Sequence, residues 1–186
     1  MRKAFAFLAI MIGFAVLAPA GCAQQDKSSR PSPPAKADCK FADGKSITVN
    51  YSSPRMKGRK IFGGLVPYGQ VWRAGANEAT IFTINGDVSV GGTNVPAGTY
   101  TIFTIPNKDK WTLIISKTTK NDKGGPLWGT NYAGEGQDQA RIDMKVSALP
   151  AAVENFTISI DKGGNGCTMN LDWESTRASV MISPKK

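Results

Sequence analysis

From Ser46 onward, apolar and polar residues alternate in short runs that are separated by turn-forming residues. A period of two indicates β-strands that bury one face, because successive side chains of a strand point to opposite sides. The runs lie at residues 47–51, 80–84, 88–90, 99–105, 111–117, 141–147, 156–160, 167–173 and 178–182. This pattern predicts an all-β domain, a single antiparallel β-sandwich of jelly-roll or barrel type, over residues 39–186.

Turn signals agree with this fold. Residues 106–110 (PNKDK) and 163–166 (GGNG) each separate two apolar runs and predict hairpins. Residues 118–139 form the longest predicted stretch without a strand, and a loop of that length is usually functional or mobile. The inward positions predict a core that includes Ile47, Tyr100, Ile102, Leu113, Ile115, Phe156, Ile158, Leu171 and Val180.

The N-terminus has the pattern of a signal peptide over residues 1–21. A short basic start, Met1-Arg2-Lys3, precedes an apolar run at residues 4–17 that is short for a membrane span. Two processing sites compete. Ala18-Pro19-Ala20 suits ordinary cleavage before Gly21, whereas Ala20-Gly21-Cys22 resembles a lipobox with Pro19 where Leu is usual.

We expect the lipobox to be used, so that a lipidated Cys22 anchors the protein to a membrane. Ala23, rather than Asp, follows the cysteine and resembles lipoproteins that are sorted to an outer membrane. Residues 22–38 are rich in Pro, Ser and charge and lack apolar periodicity, which predicts a disordered tether. The predicted address is therefore the cell envelope, with the domain facing the periplasm or the surface.

Three cysteines, Cys22, Cys39 and Cys167, leave two when the first is lipidated. In an oxidising compartment Cys39 and Cys167 could form a disulfide. The alternative is that both are buried as small apolar side chains that never meet. The sequence leaves these alternatives open.

Charge and composition restrict the chemistry. Removing residues 1–21 leaves 21 basic against 14 acidic residues, a net charge of +7, which favours phospholipid, lipopolysaccharide or acidic glycan as a partner. No nucleic-acid partner is expected, because no known nucleic-acid-binding module is present. The chain contains no histidine, which removes Ser-His-Asp and Cys-His catalysis and the commonest zinc ligand. We predict no cofactor and no metal; residues 161–166 lack the acidic spacing of a calcium loop.

Residues 51–80 contain the main candidate site, because basic, aromatic, amide and carboxylate groups lie there between chain-bending residues. The predicted ligand-binding residues are Arg55, Arg59, Trp72, Arg73, Asn77 and Glu78, flanked by Trp128 and Tyr132 from residues 118–139. Structural alternatives exist for each group. The basic run would be a solvated edge strand, Arg73 would pair with Glu78 while Trp72 fills the core, and Trp128 and Tyr132 would pin their loop.

Two long blocks, residues 53–63 (SPRMKGRKIFG) and 66–78 (VPYGQVWRAGANE), closely resemble the signature of a bacterial family catalogued as domain of unknown function 2911. Residues 95–106 resemble its second block, and residues 111–115, 128–129 and 171–173 fit as well. The resemblance covers about residues 43–183. It implies an exported all-β domain, often lipid-anchored, and it implies no catalytic residues.

Three functional hypotheses follow. The leading one is a non-enzymatic module that binds an anionic or sugar-containing envelope component. The second is a carboxylate-dependent glycan hydrolase that draws its catalytic pair from Glu78, Glu135, Asp138 and Asp143. The third is a structural lipoprotein with protein partners only.

Overall fold

The computed structural model describes residues 26–185, which form nine antiparallel strands and one short 3-10 turn, Glu135–Gln137. The strands are β1 (Pro34–Lys40), β2 (Ser46–Ser52), β3 (Thr80–Ile84), β4 (Val88–Val90), β5 (Thr93–Val95), β6 (Gly98–Ile105), β7 (Lys110–Ser116), β8 (Asp138–Gly163) and β9 (Gly166–Pro184). The predicted all-β class is confirmed. Across these residues, no helix has the length and apolar character that crossing a membrane requires.

All nine strands belong to one sheet of order β1-β2-β3-β6-β7-β8-β9-β4-β5, which folds over itself into a sandwich. The fold is made possible by β8 and β9, whose pairing is interrupted by register shifts around Val153. Beyond β2, the backbone N–H of Phe156 donates to the Pro54 carbonyl and that of Met56 donates to the Glu154 carbonyl. These bonds bring the chain that leaves β2 against the middle of β8.

The main core lies between the layers and includes every core residue predicted from the sequence. One end of this core is an aromatic cluster of Phe62, Trp72, Trp111, Phe156 and Trp173. A smaller core of Ala79, Phe103, Ile114 and Leu127 lies where residues 117–132 cover the outer face of β6 and β7. The long loop after β7 is therefore partly a cover for the sheet.

Several sequence predictions differ from the structure. The tether was expected to reach Asp38, but β1 begins at Pro34 and pairs along its whole length with β2. The basic run was interpreted as an edge strand, but it turns at Lys57 and Gly58, which both have positive φ. The longest connection is residues 53–79 rather than 118–139. The predicted signal peptide and Cys22 lie outside the described residues.

The Cys39–Cys167 disulfide is present, which confirms the predicted pairing over the alternative of two separate thiols. Cys39 lies on β1 and Cys167 lies on β9, with their Cα atoms 6.7 Å apart and a sequence separation of 128 residues. The bond joins the two layers at the end of the sandwich opposite the aromatic cluster.

Replacing both cysteines by alanine should lower the free energy of unfolding by at most about 5 kcal/mol, because the bond closes a very long loop in the unfolded chain. Denaturant titration of the oxidised protein and the double variant measures this difference. Equal stabilities would show that the bond does not constrain the unfolded chain.

Candidate functional site

Residues 53–79 connect β2 to β3 across the aromatic end of the sandwich, in a strained conformation. Of the four non-glycine residues with positive φ among residues 26–185, three lie here: Lys57 (49°), Ala74 (48°) and Asn77 (57°). Such residues cost energy unless tertiary contacts hold them, and they concentrate at binding sites. The segment is held by a pair of backbone hydrogen bonds between Trp72 and Thr104, of 2.7 and 2.8 Å.

Trp72 is part of the core and part of the surface. Its ring stacks on Trp173 with centroids 5.7 Å apart and meets Phe156 edge-on at 5.0 Å. The ring is half-buried, and its outer part lines two surface depressions. Trp72 therefore fills the core, as the structural alternative expected, and still has a surface that a ligand could contact.

Three neighbouring depressions share walls and form one elongated channel, which we call the basic groove. The first, of about 240 Å³, lies between Trp72, Arg73 and Tyr132. The second, of about 340 Å³, lies on the other side of Trp72 and Arg73 and reaches Arg59. The third, of about 350 Å³, continues from Arg59 to Arg55 and Lys57.

The cations of the basic groove bind backbone carbonyls rather than carboxylates. Arg73 Nε donates to the Gly75 carbonyl at 3.2 Å, and Arg59 donates to the carbonyls of Met56 at 2.9 Å and Arg55 at 2.7 Å. Arg55 donates to Ser53 Oγ at 3.0 Å.

Within residues 26–185, none of Arg55, Lys57, Arg59 and Arg73 forms an ion pair. Two carboxylates accept backbone N–H groups of the same segment: Glu154 accepts that of Lys57 at 2.8 Å, and Glu174 accepts that of Ile61 at 3.2 Å. Within residues 26–185, no carboxylate therefore forms an ion pair with the four groove cations.

A close approach of two loops shapes the first depression. A Cβ atom at Gly129 would lie 2.6 Å from Arg73 Cδ and 3.0 Å from the Asn77 carbonyl oxygen, so no larger residue fits without displacing them. The Gly129 N–H also donates to that carbonyl at 2.9 Å. Gly129 thereby fixes the loop that carries Tyr132 against Arg73.

Asn77 and Glu78 do not line the basic groove but hold residues 27–33, which we call the N-terminal strap. Glu78 accepts hydrogen bonds from Lys27 Nζ at 2.9 Å and from Arg30 Nη1 at 3.0 Å. Asn77 Nδ2 donates to the Ser32 carbonyl at 3.1 Å. The alternative in which Glu78 pairs with Arg73 is therefore wrong, and part of the predicted tether lies against the domain.

The electrostatics of Glu78 follow from these contacts. Partial burial alone would raise the pKa of Glu78, but hydrogen bonds from Lys27, the backbone and Arg30 outweigh it and lower the pKa from 4.5 to about 2. Glu78 therefore remains an anion at all ordinary pH values.

Tyr132 and Trp128 differ in their roles. Tyr132 packs on Phe103, with centroids 5.1 Å apart, and donates its hydroxyl hydrogen to Asp138 Oδ2 at 2.7 Å. Burial and this hydrogen bond raise the pKa of Tyr132. Tyr132 thus pins its loop and still lines the groove, whereas Trp128 stands exposed beyond the groove.

Sequence analysis missed several groove residues. Ser32 and Pro31 line it from the strap, Val71 and Thr130 line the first depression, and Trp173 lines the second. Alternation around Trp72 could have indicated Val71, but nothing local marked the strap residues. Nowhere in the described part of the chain do three or more potential metal-ligating side chains converge.

Residues 32–182 match the family described as Protein of unknown function (DUF2911). The chain belongs to this family. The match includes every residue that lines the basic groove except Pro31, and it confirms the resemblance seen in the sequence. No curated protein and no solved structure matches this DUF2911 chain.

Replacing Glu78 by Gln should loosen the N-terminal strap, because both cations lose their charged partner. We expect trypsin to cleave after Lys27 about two- to fivefold faster than in the wild type, the range that partly exposed ion pairs support. Asp143→Asn, which removes the exposed ion pair with Lys110, is the matched control and should leave cleavage unchanged. Equal rates in Glu78→Gln and wild type would contradict this role of Glu78.

The strap should also respond to acid. Because the pKa of Glu78 is lower in the folded protein than its ordinary 4.5, its contribution is complete above that value and is lost as pH falls towards about 2. The protection of the strap amides, which is their exchange rate relative to that of an unfolded chain at the same pH, should fall over this interval in the wild type. In Glu78→Gln this protection should already be low at neutral pH.

Proposed function

We propose that this protein is a non-enzymatic binding module of the cell envelope whose basic groove takes an anionic, sugar-containing ligand. The supporting observation is the continuous line of four cations, Arg55, Lys57, Arg59 and Arg73, without ion-pair partners among residues 26–185. Arg55 and Arg73 are half-buried and Lys57 and Arg59 are exposed, and each can form charge-assisted hydrogen bonds with an anion.

The chemistry of the groove suits carboxylate, sulfate or phosphate groups on a sugar backbone. Each guanidinium has five N–H donors, and Arg73 uses only Nε within the described residues, so its planar fork can bind an oxyanion. The rings of Trp72 and Tyr132 lie beside Arg73 in the first depression, where a sugar face can pack against an aromatic side chain. The elongated shape favours an oligomer over a single small anion.

Binding is favoured over glycan hydrolysis because no carboxylate of residues 26–185 lines the three depressions of the groove. The four carboxylates of the hydrolase hypothesis are each engaged elsewhere. Glu78 pairs with the strap, Asp143 pairs with Lys110, and Glu135 and Asp138 both pair with Arg141. The low pKa of Glu78 also makes it a poor proton donor near neutral pH.

The module is proposed to be exported and held at a membrane by a lipidated Cys22. The support is the signal-like sequence of residues 1–21 and the lipobox-like Ala20-Gly21-Cys22. Several acyl chains on one cysteine would anchor the protein stably where a single chain would not. The structural-lipoprotein hypothesis predicts the same location in the cell but no ligand in the groove.

Mass spectrometry of the mature N-terminus tests whether Cys22 is lipidated. We expect a first residue Cys22 that carries acyl chains. An unmodified chain that begins at Gly21 would contradict the anchor and leave the groove hypothesis standing.

Arg73→Ala tests the groove. Against a panel of uronic-acid and phosphorylated oligosaccharides, we expect the wild type to bind at least one member and the variant to bind it at least about tenfold more weakly, since it loses a charged hydrogen-bond donor. Binding should also weaken with added salt. Lys162→Ala removes an exposed cation at the disulfide end and is the matched control.

Two results would contradict the proposed groove function. One is that the wild type binds no member of the panel. The other is that Arg73→Ala and Lys162→Ala bind as tightly as the wild type. In either case the structural-lipoprotein hypothesis becomes the better account.

A further inference from the structure

Exposed apolar side chains are concentrated at the groove end of the molecule. Of the five large apolar side chains that are exposed among residues 26–185, Leu65 (48%), Tyr68 (38%), Val71 (40%) and Trp128 (48%) belong to the loops around Trp72 and Arg73. The fifth, Met181, lies on β9. Single exposed apolar residues are normal, but a cluster marks an interaction surface.

Contacts place these four residues around one ridge, and we call them the apolar rim. Val71 lines the first depression and Leu65 lines the second, so they lie on opposite sides of Arg73. Trp128 precedes Gly129, which lies against Arg73. Tyr68 lies against Gly63, in the same loop as Leu65.

Cations surround the apolar rim. The loop that leads to Leu65 exposes three cations, Lys57, Arg59 and Lys60. A fourth, Lys27, binds the carboxylate of Glu78, whose backbone forms an isolated β-bridge with Trp128. Aromatic side chains mixed with Lys and Arg are typical of surfaces that sit at the boundary between headgroups and acyl chains. We propose that the apolar rim docks this domain onto the surface of an anionic phospholipid bilayer.

The position of the anchor supports this partner. Only five residue steps separate Cys22 from Lys27, and an extended chain spans about 3.5 Å per step, so the two are at most about 18 Å apart. Lys27 is fixed beside Glu78, and Glu78 bridges to Trp128. If Cys22 carries the lipid, as proposed above, the bilayer lies within about 18 Å of Lys27, which is bonded to the residue that pairs with Trp128.

Docking also gives the groove an orientation. Val71 and Leu65 belong both to the rim and to the walls of the groove, so a docked rim places the groove mouth at the headgroup layer. The groove would then meet ligands that are presented at the membrane surface, rather than ligands in free solution.

The test uses residues 22–186 with Cys22→Ser, which keeps every described residue and the complete sheet but carries no lipid. We expect this chain to bind vesicles rich in phosphatidylglycerol and to bind vesicles of pure phosphatidylcholine far more weakly, because the cations attract anionic headgroups. Tyr68→Ser/Trp128→Ser should bind the phosphatidylglycerol vesicles at least about tenfold more weakly, since two large apolar groups are lost. Met181→Ser is the matched control and should bind like the parent chain.

Trp128 provides a second measurement that does not depend on a variant of the rim folding well. The three other tryptophans pack in the aromatic cluster, so Trp128 is the one whose surroundings change on docking. Its emission should shift to shorter wavelength on vesicle binding and be quenched by brominated lipid. Trp128→Phe should still bind but lose most of both signals.

The outcomes separate docking from the groove function. The inference is overturned if the parent chain does not bind phosphatidylglycerol vesicles, if Tyr68→Ser/Trp128→Ser binds as the parent does, or if brominated lipid leaves the emission unquenched. Neither Tyr68 nor Trp128 lines the groove, so this double variant should bind the soluble oligosaccharides normally. Arg73→Ala failing in the oligosaccharide assay while vesicle binding persists would support both proposals independently.

Discussion

The packing of Trp72 between the two layers of the sandwich determines the rest of the site. Its ring stacks on Trp173, with 19° between the ring planes, and its backbone forms a two-bond ladder with Thr104. Because side chains alternate along such a ladder, an inward Trp72 requires its neighbours Val71 and Arg73 to point outward. One half-buried aromatic ring therefore places a cation and an apolar side chain on the surface ridge that divides the groove.

The arginines of the connecting loop stabilise it and remain available to a ligand. A loop outside the sheet must satisfy its own carbonyls, and Arg55 and Arg59 do so by donating to the carbonyls of Ser53 and Met56. A guanidinium has more donors than these bonds use, so N–H groups remain for a ligand. Glu154 accepts the backbone N–H of Lys57 and, within residues 26–185, forms no ion pair with either arginine.

The strands and the core could be predicted from the sequence. Period-two alternation identified the strands and core residues such as Ile102 and Leu113, because a strand that buries one face has an apolar residue at every second position. The structural alternative of an edge strand for the basic run at residues 55–60 is wrong, because the chain turns at Lys57 and Gly58, and charge alternation alone does not distinguish a strand from such a turn. The partners of Glu78 could not be predicted, since Lys27 and Arg30 lie 51 and 48 residues away and have the composition of a disordered linker.

The N-terminal strap couples its own attachment to the domain with ligand binding in the groove. Ser32 lines the second and third depressions, and its carbonyl is fixed by Asn77 while Lys27 and Arg30 are fixed by Glu78. A ligand that contacts this wall stabilises the attached strap, and by thermodynamic reciprocity an attached strap strengthens that ligand's binding. Glu78 thus contributes to the groove without touching it, which gives a role to the one carboxylate of residues 53–79.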